Sequence, residues 1–340
     1  MMTLRSIRRR PGRFAAAVLA CCIASGLADA QQPASKPQIL VAFEKLSAGD
    51  FDEARRIAEP LAAAGDVNAM HMVGFLDERG LGGEKNMKRA IEYYFKAANG
   101  GSADAQFALG ELAYLGEGVS QDYARAVSWF EIAAGNGHVQ AMVRLGMLYA
   151  EGLGAKADQK KAVNYFRKAG ELGDAGAQHN MGVAYLLGRG LPKNYDKARD
   201  WFEKAAEQDH ADAQYNLALI YDADYLGAPD PQATVKWMAA AAKNGLPAAY
   251  VAMGLLTHEG RVTPEGGAEV AASAADWFEK AAQAGDPQGQ FLFAAALAKG
   301  DGRPANRGEA LAWLERALTQ ENRLAPQTRE NAKKLRSELM

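Results

Sequence analysis

One period governs this chain. A glycine position recurs at Gly74, Gly110, Gly146, Gly182, Ala218 and Gly254, always 36 residues apart, and again at Ala294 after 40. A second column, Ala54, Ala90, Ala126, Ala162, Ala198, Thr234, Ala274 and Ala310, runs in phase with it. Its only irregular step, from Thr234 to Ala274, is also 40. The extra residues lie between Gly260 and Ala274, around Arg261–Gly267. Self-similarity at a fixed period of this size means stacked supersecondary units that share one continuous core.

Each unit reads as two helices. Ala105–Tyr114 places its apolar residues at i, i+4 and i+7, one face of a 3.6-residue helix, here named helix A. Tyr123–Gly135, helix B, puts Ala126, Trp129, Phe130, Ala133 and Ala134 on one face. Small residues in fixed columns let neighbouring helices approach closely. Trp129, Trp201, Trp237, Trp277 and Trp313 share one column and are expected to be repeated core filler.

The loops repeat as well. Asp50, Asn86, Asp122, Asp158, Asn194, Asp230 and Asn306 stand where an N-cap oxygen would accept a free backbone N–H of helix B. Gly65, Gly101, Gly137, Gly173, Gly245 and Gly285 follow helix B, as residues in left-handed conformation do. Asp66, Ser102, Asp174 and Asp286 are expected to cap the next helix A, with His138 and His210 as caps at the equivalent turn. Pairs such as Gly152-Leu153-Gly154 stop helix A. They lack the preceding strand and the Gly-Lys-Ser/Thr of a phosphate loop.

These stretches resemble Sel1-like repeats, relatives of the tetratricopeptide repeat. The matching segments include Ala105-Gln106-Phe107-Ala108-Leu109-Gly110 with Ala126-Val127-Ser128-Trp129-Phe130, and Ala213-Gln214-Tyr215-Asn216-Leu217 with Ala198-Arg199-Asp200-Trp201-Phe202. The resemblance implies an all-α fold, an α/α solenoid coiled as a right-handed superhelix with helix A lining its concave face. It also implies a bacterial, exported protein, with roles in assembling complexes, envelope signalling or polysaccharide export. Some members carry two cysteines per repeat; here Cys21 and Cys22 are the only cysteines, so that subclass does not carry over.

The expected organisation is a signal peptide over 1–30, a linker over 31–37, a tetratricopeptide-like helix pair over 38–65, seven repeats over 66–320 and a polar capping helix over 321–340. Arg5, Arg8, Arg9, Arg10 and Arg13 precede the apolar stretch Phe14–Leu27, and Ala28-Asp29-Ala30 forms an A-x-A site. Cleavage after Ala30 predicts a periplasmic or secreted protein. Val18-Leu19-Ala20-Cys21 is the alternative, a lipobox that would place a lipid on Cys21 and make an outer-membrane lipoprotein. Two departures from the period stand out: Asp224-Tyr225-Leu226 replaces the Gly-x-Gly of the fifth repeat, and the sixth repeat carries the insertion.

Net charge is −2, and −6 once the arginine-rich first 30 residues are set aside. A mildly acidic body argues against nucleic acid, whose binding rests on phosphate neutralisation. No His-x-x-x-His or cysteine pair suggests a metal site, no Ser/His/Asp set is legible, and no cofactor is expected. The chain therefore reads as a non-enzymatic scaffold that binds a protein segment in its groove, with contact to the membrane only if Cys21 is lipidated. The alternative is a structural component of envelope polysaccharide export or cell-wall machinery. Candidate groove residues, all on helix A, are Phe107, Glu111, Arg144, Met147, His179, Asn180, Tyr215, Asn216 and Val251. Such aromatic and amide groups can hold an extended peptide by stacking and by hydrogen bonds to its backbone.

Overall fold

The computed structural model describes residues 36–262 and 273–340. The leader with Ala30 and Cys21, most of the linker and the greater part of the insertion lie outside the described residues. Among the described residues there are seventeen α-helices and no strand. None of these helices is long and apolar enough to cross a membrane.

A helix pair opens the described chain, α1 (Gln38–Ser47) and α2 (Phe51–Ala63). Helices A are α3 (Val67–Arg79), α5 (Ala103–Leu115), α7 (Val139–Glu151), α9 (Ala175–Leu187), α11 (Ala211–Asp222), α13 (Pro247–His258) and α15 (Pro287–Lys299). Helices B are α4 (Met87–Asn99), α6 (Tyr123–Gly135), α8 (Gln159–Glu171), α10 (Tyr195–Ala206), α12 (Pro231–Lys243), α14 (Ala274–Gln283) and α16 (Arg307–Leu318). Last comes α17 (Pro326–Leu339). The chain divides into two compact units. The first comprises residues up to Leu148 together with Leu153–Lys156; the second comprises Tyr149–Gly152 and Ala157–Met340.

Local chemistry sets the helix ends. Side chains of Asn86, Asp122, Asp158, Asn194, Asp230 and Asn306 each accept from a backbone N–H in the first turn of helix B. Asp50 does not: its carboxylate takes the Lys45 ammonium at 3.0 Å instead. Asp66, Ser102, Asp174 and Asp286 cap helices A. His138 and His210 do the same through Nδ1, from Ala141 and Ala213. Where the insertion removes the usual cap of α14, Ser273 and Asp276 supply a capping box.

Packing explains the glycine column. Gly110 and Gly182 lie against the rings of Phe130 and Phe202 of the paired helix B, which are wholly buried. A glycine inside a helix costs about 1 kcal/mol relative to alanine, and close seating of a large ring offsets it. Where the column holds Ala218 or Ala294, the opposing side chain is the smaller Met238 or Leu314.

The tryptophans differ from expectation. Only Trp277 is buried; Trp129, Trp201, Trp237 and Trp313 are part-exposed. The following residue, Phe130 or Phe202, points into the core instead, and Phe278 is buried alongside Trp277. A cation from the same helix lies over several of these indoles, as Lys204 over Trp201 at 4.4 Å and Arg316 over Trp313 at 4.4 Å.

A ladder of buried glutamines ties successive helices. Gln106 Nε2 donates to the Ala98 carbonyl at 3.1 Å, and its Oε1 accepts from Asn136 at 2.9 Å. Gln178 repeats this with Gly170 and Gln208, and Gln214 with Ala206 and Asn244. Each glutamine adds a second donor to a carbonyl in the last turn of a helix B that already accepts a backbone N–H, and so satisfies its own buried amide, where an unmade bond costs about 1–3 kcal/mol. The largely polar α17 closes the second unit by burying Ala332 against Ala294 and Leu314.

Candidate functional site

The nine candidate residues fall into both units. In the first, Arg144 and Glu111 form an ion pair through both carboxylate oxygens, Nη2 to Oε2 and Nε to Oε1 each 2.8 Å apart. The guanidinium also lies over the Tyr114 ring at 5.5 Å. The pair ties α5 to α7, so its polar atoms are largely occupied. Phe107 stacks on His138, ring centres 4.4 Å apart, and leans on Phe130. Its ring therefore serves packing between repeats. Met147 is part-exposed on α7.

In the second unit, His179 occupies the place of Phe107 and behaves like it. Its ring stacks on His210 at 5.0 Å and leans on Phe202. Its Nε2 lies 2.9 Å from the Asn216 amide nitrogen. An amide nitrogen can only donate, so this contact takes His179 as a neutral ring with Nε2 bare. Burial first, and then the neighbouring His210, push its pKa down to about 4, in keeping with that state. Val251, expected on the surface, is buried. Phe107, His179, Tyr215 and Val251 share the position three before the glycine column, where side chains turn into the packing between helices. Tyr215 is part-buried against the core around Met253, and its pKa is raised by burial and by Asp286. Asn180 and Asn216 remain part-exposed, one repeat apart.

Asn216 lines a cleft of about 430 Å³ whose other walls the candidate set does not contain. Leu187 at the end of α9, Leu219 and Ile220 of α11, Tyr195 at the start of α10 and Tyr225 line it. The fifth repeat forms it. Without Gly-x-Gly, the chain makes a 3-10 turn over Asp224–Leu226 that sets Tyr225 on Tyr195, ring centres 4.4 Å apart and nearly parallel. Leu187, Leu219 and Tyr225 are 48%, 42% and 47% exposed, high for side chains of this kind. The broken repeat was the sequence signal for this place.

A second cavity, of about 360 Å³, lies in the first unit among Arg55, Glu59, Asp77, Lys85 and Arg89. Asp77, 1% exposed, takes Arg55 at 2.7 Å and Arg89 at 3.1 Å; both arginines also reach Glu59, and Arg55 donates to the Leu81 carbonyl. With Glu84, which also lines the cavity, three cations meet three carboxylates, and the network joins α2, α3 and α4. Its role is to hold the opening helix pair on the first repeat. Among the described residues, no group of three or more His, Cys, Asp or Glu is placed to hold a metal ion.

Comparison with known proteins places these features. The Sel1 repeat family matches seven times, at residues 67–102, 103–138, 139–174, 175–210, 211–246, 247–286 and 287–322. A Sel1 repeat protein from Oxalobacter formigenes is 30% identical with a TM-score of 0.63, covering 72% of this chain and 99% of its own. A protective antigen of uropathogenic Escherichia coli with an SLR fold is 24% identical with a TM-score of 0.48, over 89% of this chain and 71% of its own. A protein from Klebsiella pneumoniae described as a sel1 repeat protein is 25% identical with a TM-score of 0.38, over 54% of this chain and 91% of its own. No curated protein matches the chain.

Proposed function

The chain belongs to the Sel1 repeat family, whose members mediate protein–protein interaction on a solenoid that is typically a non-catalytic scaffold, and from that premise we propose that it is an adaptor of the cell envelope. It holds a segment of a partner protein on the helix A face of its second unit, without catalysis. One observation carries this reading. Asn180 and Asn216 stand at equivalent places in consecutive repeats, and an open apolar cleft lies beside Asn216. Side-chain amides at that spacing suit the hydrogen bonds of an extended backbone, and a cleft beside them suits an anchoring side chain.

The envelope assignment rests on the arginine-rich leader and its A-x-A site. Release after Ala30 gives a periplasmic or secreted adaptor, and acylation of Cys21 gives a tethered one. Intact-mass analysis of the mature protein separates the two.

Photocrosslinking in live cells tests the binding face. A photoreactive residue at Leu219, exposed in the cleft wall, is expected to trap one discrete protein. The same residue at Lys204, exposed on helix B, is expected to trap none. Equal adducts from both positions, or none from Leu219, contradict the reading.

A further inference from the structure

Charge is unevenly spread over the second unit. Helices α9 and α13 contain no Asp, Glu, Lys or Arg. In α11 the acids are Asp212, in the first turn, and Asp222, which is paired with Arg261; in α15 the charge is Lys299 alone. Helices B of the same unit are the reverse: α8 carries Lys160, Lys161, Arg167, Lys168 and Glu171, and α10 carries Asp196, Lys197, Arg199, Asp200, Glu203 and Lys204. The contrast extends to the first unit, where Glu111 and Arg144 stand on the same helix A face.

Exposed large apolar side chains gather on this uncharged face. Leu219 and Leu255 hold the same position in consecutive repeats, and Leu187 and Tyr225 flank the cleft. Two charged side chains stand in the cleft wall, each already engaged: Lys193 lies over the Tyr195 ring at 5.6 Å, and Asp222 is held by Arg261.

The geometry points to an uncharged, apolar segment of the partner protein as the occupant of this face, an inference that rests on the adaptor reading above. A charged segment would lose hydration against α9 and α13 with no counter-charge on either helix to replace it. An apolar segment loses nothing comparable, and its burial removes Leu187, Leu219, Leu255 and Tyr225 from water. One large aliphatic or aromatic side chain fills the cleft, and the Asn180 and Asn216 amides meet the backbone beside it. Because no ion pair forms, affinity is insensitive to salt.

Random twelve-residue peptides displayed on phage, selected against the purified chain, are the probe. Selected peptides are then synthesised, and their affinity is measured at about 0.05 M and about 0.5 M salt, a range over which exposed charge pairs are strongly screened. The expected consensus holds apolar and aromatic residues without charge. Affinity changes less than about twofold with salt and falls about tenfold or more in Leu219→Asp. Leu219→Ala and Leu255→Ala, milder changes at exposed sites, fall in the same direction, and a matching melting temperature shows each variant folded. A charged consensus with steep salt dependence, still lost in Leu219→Asp, overturns this inference while the adaptor reading stands. Binding indifferent to Leu219→Asp, or no selected peptide, overturns both. Self-association of the chain, or binding to neutral lipid vesicles, that Leu219→Asp abolishes would give the face to another occupant and overturn the inference.

Discussion

A β-carbon placed on Gly110 would sit 2.5 Å from Cε1 of Phe130, closer than any real contact. The two residues are twenty apart in sequence and face each other across α5 and α6. The relation recurs at Gly74 with Tyr94 and at Gly182 with Phe202, and relaxes to Ala218 with Met238 and Ala294 with Leu314. Ring size on helix B and the β-carbon on helix A are thus alternatives for one volume.

Gly110→Ala is therefore expected to lose up to about 2 kcal/mol, since overpacking costs about 1–3 and the helix regains about 1. In a Phe130→Leu background the same change is expected to be neutral or stabilising, as the native Ala294–Leu314 pair implies. Thermal or denaturant melting of the four proteins measures the coupling. Additive effects would contradict the shared-volume account.

Asp209 holds the turn position that glycine fills in other repeats, with φ of 60°. At the equivalent Gly101, Gly137 and Gly173, nothing lies within 4 Å of a would-be β-carbon, so backbone conformation alone sets the preference. Asp209→Gly is expected to stabilise by about 0.5–1 kcal/mol. A melting temperature that falls would contradict it.

Asp77 is buried between Arg55 and Arg89. Asp77→Ala leaves the largely buried Arg55 guanidinium with only the more exposed Glu59, at 3.3 Å, and is expected to cost up to about 3–5 kcal/mol. Hydrogen exchange should show the loss in α2 and α3 first. A loss below about 1 kcal/mol, no more than a surface pair is worth, would contradict the role given to the network.

Much of this was legible because it is local. Capping depends on a side chain and a backbone three residues away, so Asn86, Asp122 and even His138 and His210 declared themselves. Depth is not local. The period aligns Trp201 with Trp237 and Trp277 but does not say that Phe202, one residue later, takes the core. For the same reason Phe107, His179 and Val251 stood out as ligand-facing, although helix B covers them. Asp77 was silent because its partners come from two other helices; its one signal was an acid in a column that elsewhere holds Ala113, Tyr149, Tyr185 and Tyr221. The cleft followed from a broken repeat, whose position could be read and whose shape could not.

His179 sets a pH dependence. Its pKa is about 4 in the fold and about 6.5 in an unfolded chain. Between those values the unfolded state binds the extra proton, so stability is full above about pH 6.5 and falls as pH drops toward about 4. His179→Phe, which copies Phe107 on His138, is expected to shrink the drop in melting temperature between pH 7 and pH 4.5. An unchanged drop would contradict a neutral, buried His179.

The central claim is that the helix A face of the second unit holds the partner. Its most direct measurement is the affinity of the partner trapped from Leu219 for three chains: the unaltered protein, Leu219→Asp and Lys204→Asp. The account predicts a loss of about tenfold or more, ~1.4 kcal/mol or beyond, for Leu219→Asp, with Lys204→Asp within about twofold of the unaltered protein. Equal affinities for all three, or a loss confined to Lys204→Asp, would place the partner elsewhere and contradict it.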